Sequence, residues 1–176
     1  MRIALSFAGL VTAAALATTA FAQAPKQEPA KQTAKAQPSD LVKRKGWAVY
    51  TTRSSFGDLV KKLEEAVKKN KMGLVNAASA SDNLKAKGVT IPGNRVVGVF
   101  RPDFASRMLA ASTAAGIEAP IRFYVTENAD GSATLSYRTP SAVFAPYMTR
   151  RNPDLRAMAK ELDAIFAQIA LDTIGG

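Results

Sequence analysis

The chain has 176 residues and a formal charge of +10, with 24 Lys and Arg against 14 Asp and Glu, and it contains neither His nor Cys. Their absence removes disulfides, thiol nucleophiles, thiolate and imidazole metal sites, His-ligated haem and the usual general base. Catalysis would have to run on carboxylates, Lys, Tyr or Ser, so the composition argues against an enzyme, and no metal or other cofactor is expected.

Residues 1–22 read as a cleaved secretory signal: one early charge, Arg2, an apolar run from Ile3, and Ala20-Phe21-Ala22 as the peptidase site. Cleavage between Ala22 and Gln23 would place the protein in the periplasm or outside the cell, with no transmembrane segment left. An uncleaved anchor is the alternative, but the run is dominated by Ala and Thr and is weakly apolar for a span. Residues 23–45 form a Pro/Gln/Lys/Ala arm with six cations (Lys26, Lys31, Lys35, Lys43, Arg44, Lys45) against Glu28 and Asp40. With no apolar periodicity it reads as a disordered linker, either a spacer or a cationic tether to an anionic surface.

Residues 46–176 carry the folded domain. Trp47 to Arg53 alternates like a strand. Ser54 and Ser55 can cap a helix with Asp58 in its first turn, and Phe56, Leu59, Val60, Leu63 and Val67 recur on one helical face. Glu64 with Lys68 and Glu65 with Lys69 have the spacing of ion pairs on the other face, and the Lys68–Lys71 run suits a helix end. Met72–Ala78 predicts a second strand, Ser81–Lys87 a short helix ended by Gly88, and Arg95–Arg101 a third strand. Asp103 can cap a helix through Phe104, Met108 and Leu109 that ends before Gly116. Ile121–Thr126 and Ala133–Arg138 make a hairpin around Asp130-Gly131. Asn152-Pro153 then starts a last helix striped by Leu155, Met158, Ala159, Leu162, Ile165, Phe166 and Ile169. The fold class is therefore α+β: a single domain with a mixed, largely antiparallel sheet and helices packed on one face.

No catalytic constellation is recognisable, and catalytic and metal residues are both expected to be none. Glu64, Glu65, Glu161 and Asp163 belong to charged helix faces, and there is no nucleophile elbow, Walker loop or dinucleotide fingerprint. The groups that could bind a ligand are on strands. Alternation puts Arg95 and Arg101 on one face of the third strand, Arg122 with Tyr124 on the next, and Thr134, Ser136 and Arg138 on the last. Should those faces coincide, Arg95, Arg101, Arg122, Tyr124 and Arg138 would converge where guanidiniums grip carboxylate or phosphate. The same arginines equally suit strand ends and a solvated sheet face.

From Gly88 to Pro140 the order of short motifs becomes specific: Gly88-Val89-Thr90-Ile91-Pro92, Arg95 to Pro102, Ala115 to Arg122, Asp130-Gly131, and Ser136-Tyr137-Arg138-Thr139-Pro140. In this order, and with the helices after Ser55 and Pro153, the chain resembles the domain of unknown function 302 family over about residues 46–173. The resemblance implies a small α+β domain, often dimeric, with no established reaction. The chain departs from the family in having Arg101 before Pro102 where members often have Asn, Ala80 near a frequent His, and Phe100 and Ile121 where some have Cys.

These features lead to an exported, non-enzymatic domain that binds a small anionic or amphipathic ligand or a protein partner. The alternative is an envelope-associated structural module held by its basic arm. Expected partners are a small anion or an envelope component, or a second copy in a homodimer, and no nucleic acid is expected.

Overall fold

Ser55 ends the first strand and begins the first helix. Its hydroxyl accepts from the Asp58 backbone amide at 3.2 Å and donates to the Asp58 carboxylate at 2.7 Å. The computed structural model describes residues 40–175, so the expected signal and residues 23–39 of the expected linker lie outside the described residues. The elements are β1 (Trp47–Ser55), α1 (Phe56–Lys69), β2 (Gly73–Ala78), α2 (Ala80–Lys85), β3 (Asn94–Phe100) and α3 (Pro102–Ala111). A 3₁₀ turn over Thr113–Glu118 leads to β4 (Ile121–Glu127), β5 (Ser132–Arg138), α4 (Pro140–Phe144), a second 3₁₀ turn and α5 (Pro153–Ile174).

The five strands form one sheet in the order β1-β5-β4-β3-β2, and every neighbouring pair is antiparallel. The sheet is thus wholly antiparallel rather than mixed, with helices against one face. α1 carries the chain from one edge strand to the other and packs on α5. The helix-covered face presents Val97 and Val99 from β3, Ile121, Phe123 and Val125 from β4, and Ala133, Leu135 and Tyr137 from β5, all buried. α1 meets it with Leu59, Leu63 and Val67, and α5 with Leu155, Met158, Leu162, Phe166 and Ile169, as their spacing predicts.

Several local expectations are overturned. Neither Glu64 with Lys68 nor Glu65 with Lys69 forms an ion pair, because tertiary partners compete: Lys69 reaches Asp172 on α5 at 2.9 Å and Glu64 faces Arg95 at 3.7 Å. Asp103 is not the cap of α3. Arg101 holds that position and Pro102 starts the helix, leaving Asp103 in the first turn beside the helix dipole. Asn152 precedes α5 as expected but makes no side-chain cap. Its amide is turned back to accept from the Thr149 amide at 2.6 Å and donate to the Tyr147 carbonyl at 2.8 Å. α4, five residues opened by Pro140, is too short to leave a periodic signal.

Gly46 sets the entry into β1. Its φ is +76°, in the left-handed region, and a Cβ there would lie 2.5 Å from the Ala142 Cβ. Gly46→Ala is therefore expected to destabilise by about 2–3 kcal/mol, combining backbone strain with the clash. A urea midpoint within error of the parent would overturn that expectation.

Candidate functional site

The sheet face opposite the helices is built from three cross-strand rows. In the first, Trp47 faces Arg138 and Arg122 faces Gly98. Because Phe123 pairs with Tyr137, the same register sets Arg122 beside Arg138 across the β4–β5 hairpin. In the second row Val49 faces Ser136, Ser136 faces Tyr124, and Tyr124 faces Val96. The third is a hydroxyl ladder of Thr51, Thr134 and Thr126 ending on Asn94.

A cleft of about 210 Å³ lies against the first two rows and is also lined by Ile121, Tyr137 and Val143. Trp47 on β1 and Tyr124 on β4 stand on either side of β5. Arg122 and Arg138 lie at one end, and Glu118, from the 3₁₀ turn before β4, contributes a carboxylate. A wider hollow of about 420 Å³ continues past Tyr124 and Val96 toward Asn83 and Asn94. By contrast, the interior space between α3, α5 and the sheet, lined by Met72, Met108 and Met158, is only about 30 Å³. That is room for about one water and no ligand.

Two features make the cleft chemically unfinished. Like charges directly opposite on adjacent strands repel, yet Arg122 has no hydrogen bond or ion pair with any described residue. Arg138 has one weak contact, donating to the Ala142 carbonyl at 3.2 Å. On the cleft floor, Ser136 is fully buried and its Oγ has no hydrogen-bond partner among the described residues. Leaving such a hydroxyl unsatisfied costs about 1–3 kcal/mol. The Thr126 hydroxyl, one row away, is buried and has no partner among the described residues either. Glu118 forms no ion pair with either arginine, and its carboxylate, which keeps its charge, accepts the Tyr147 hydroxyl at 2.9 Å. That bond, more than burial, raises the Tyr147 pKa and keeps the phenol protonated.

The five strand residues singled out from sequence divide between the two faces. Arg122, Tyr124 and Arg138 come together in the cleft. Arg95 and Arg101 point toward the helical side and are committed to carboxylates. Arg95 donates to Asp82 at 2.8 Å and faces Glu64, clasping α1 and α2 to β3. Its hydrogen bond lowers the Asp82 pKa. Arg101 grips Asp103 through Nε at 2.7 Å and lies over the Phe104 ring at 4.3 Å, lowering the Asp103 pKa chiefly through that hydrogen bond. The arginines of β3 and those of the hairpin therefore do not share one site. Sequence reasoning placed Ser136 on the face of Arg138 but did not select it, and it missed Trp47 and Glu118. The pairing of Trp47 with Arg138 joins the start of the domain to its fifth strand, which no local pattern reveals.

Fold and face together define a single α+β domain: a five-stranded antiparallel sheet, helices on one side, and a basic, aromatic-walled cleft on the other. The chain belongs to the family described as Domain of unknown function DUF302, which matches residues 48–171. The fold is similar to that of the uncharacterized conserved protein DUF302 from Bacillus stearothermophilus, with a TM-score of 0.64 and 19% identity over 74% of this chain and 99% of that one. No curated protein matches the sequence. Among the described residues no helix is long and apolar enough to cross a membrane.

Proposed function

We propose that this is an exported, non-enzymatic domain whose open sheet face binds a small anionic ligand. The observation that carries the reading is the pair Arg122 and Arg138, set side by side by the hairpin register without a carboxylate between them, above the unpartnered Ser136 hydroxyl. An anion received between two guanidiniums turns their mutual repulsion into charge-assisted hydrogen bonds, the stronger kind. The cleft is smaller than the roughly 300–1,000 Å³ typical of drug-sized ligands, so the occupant is small. A binding role is favoured over catalysis because Ser136, the buried hydroxyl of the cleft, touches no base that could activate it. Export rests on Arg2, the apolar run and Ala20-Phe21-Ala22, and N-terminal sequencing of protein recovered outside the cytoplasm would check it.

Trp47 is the one Trp of the chain and stands in the cleft wall, so its fluorescence reports occupancy directly. Titration with small carboxylates and phosphomonoesters at low salt is expected to shift that emission saturably. The doubly substituted Arg122→Gln/Arg138→Gln protein is expected to bind at least tenfold more weakly, because charged hydrogen bonds contribute about 1.5–3 kcal/mol each. Unchanged affinity in that variant, or no anion bound at all, would remove the reading.

A further inference from the structure

The cleft also carries information about the shape and charge of what it holds. Resting on the anion-binding reading above, we infer that its ligand is a flat, aromatic monocarboxylate.

Charge comes first. Arg122 and Arg138 supply two cations and Glu118 one anion, leaving a single net positive charge for an occupant to neutralise. A monoanion meets that balance, whereas a phosphate dianion would bring excess negative charge toward Glu118. A carboxylate is also planar and matches the guanidinium fork bidentately.

Shape follows from the sheet. Trp47 and Tyr124 sit on β1 and β4 with β5 between them and in adjacent rows, opposite Arg138 and Ser136, so their backbones are about 11–12 Å apart. One face of the Trp47 indole is taken by Arg44, whose guanidinium lies 4.4 Å from the ring centroid. Arg44 is not among the residues that line the cleft, whereas Trp47 is. Tyr124 closes the opposite wall with a hydroxyl that has no partner among the described residues. A planar ring standing over β5 would meet an aromatic surface on each side while its carboxylate reached the two arginines. Offset stacking and edge contacts with Trp and Tyr favour such a ring over a saturated one of the same size.

The test compares benzoate, cyclohexanecarboxylate and inorganic phosphate by isothermal titration calorimetry on the full chain. Benzoate is expected to bind roughly two- to tenfold more tightly than cyclohexanecarboxylate, and more tightly than phosphate. Tyr124→Leu is expected to erase the preference for benzoate, lowering benzoate affinity more than cyclohexanecarboxylate affinity. Trp47→Leu serves as a second variant, with circular dichroism confirming that each retains its fold. Equal affinity for the two carboxylates, or tighter binding of phosphate, overturns the aromatic inference and leaves the anion site standing. Failure of all three probes to bind overturns both.

Discussion

Phe166→Ala is expected to lower the unfolding free energy by about 3–5 kcal/mol, the usual range for truncating a fully buried aromatic. Phe166 is 0% exposed and stacks on Phe123 with ring centroids 4.7 Å apart. Tyr137 completes the cluster, 5.0 Å from Phe123 and 5.6 Å from Phe166. The three rings join α5 to the central strand β4 and its neighbour β5, so the cavity left by Ala would open where sheet and helix meet and little can collapse to fill it. Burial pushes the Tyr137 pKa far above its ordinary value, with Tyr50 reinforcing the shift, and this phenol stays neutral throughout the working range. Urea denaturation followed by far-ultraviolet circular dichroism checks the prediction, with the midpoint falling and the slope unchanged. Ile165→Ala, at a partly buried neighbour on the same helix, should cost clearly less. Equal losses at the two positions would mean that the ring cluster is not the centre of the core.

The stripe that identifies Phe166 as core is readable from α5 alone, since six of its seven expected apolar positions are buried and Ile165 is packed against them. The same holds for α1 and for the alternation of β4. Local periodicity reports which side of an element is wet, and those elements were legible for that reason. What no local pattern contains is pairing between distant segments. β1 lies beside β5, its paired residues 77 to 91 positions apart in the chain, and α1 joins opposite edges of the sheet. This topology decides that Trp47 stands next to Arg138, and that Arg95 and Arg101 turn away from the hairpin arginines.

The hairpin shows how narrow the margin is. A two-residue turn at Asp130-Gly131 would set Tyr124 opposite Tyr137 and mix the two faces. Instead the connection has three residues, Ala129 to Gly131. Gly131 N–H donates to the Asn128 carbonyl at 3.0 Å, and Gly131 has φ +81°, the form in which a type I turn is followed by a left-handed residue. Asp130 fixes it by accepting from the Ser132 amide at 3.0 Å and the Ser132 hydroxyl at 2.6 Å. One residue of difference in that loop determines whether Arg122 and Arg138 are neighbours.

That adjacency leads to a prediction in which binding and stability move in opposite directions. Arg122→Glu is expected to weaken anion binding by about a hundredfold, because it replaces a charged hydrogen-bond donor with a repelling carboxylate. A residue that held the fold together would also cost stability when reversed. Arg122 should not, since it has no partner among the described residues and faces a like charge across the strand pair. A Glu beside Arg138 forms an opposite-charge cross-strand pair, favourable by about 0.2–1 kcal/mol and toward the low end at this exposed position. Glu118 on the cleft wall offsets part of it. The ligand-free variant should therefore unfold at a urea concentration equal to or slightly above that of the parent, with the difference shrinking as salt is added. Loss of function with retained or improved stability is the pattern of a residue kept for its ligand rather than its fold. Destabilisation by more than about 1 kcal/mol would instead place Arg122 among the residues that hold the sheet together, and the cleft would lose its strongest argument.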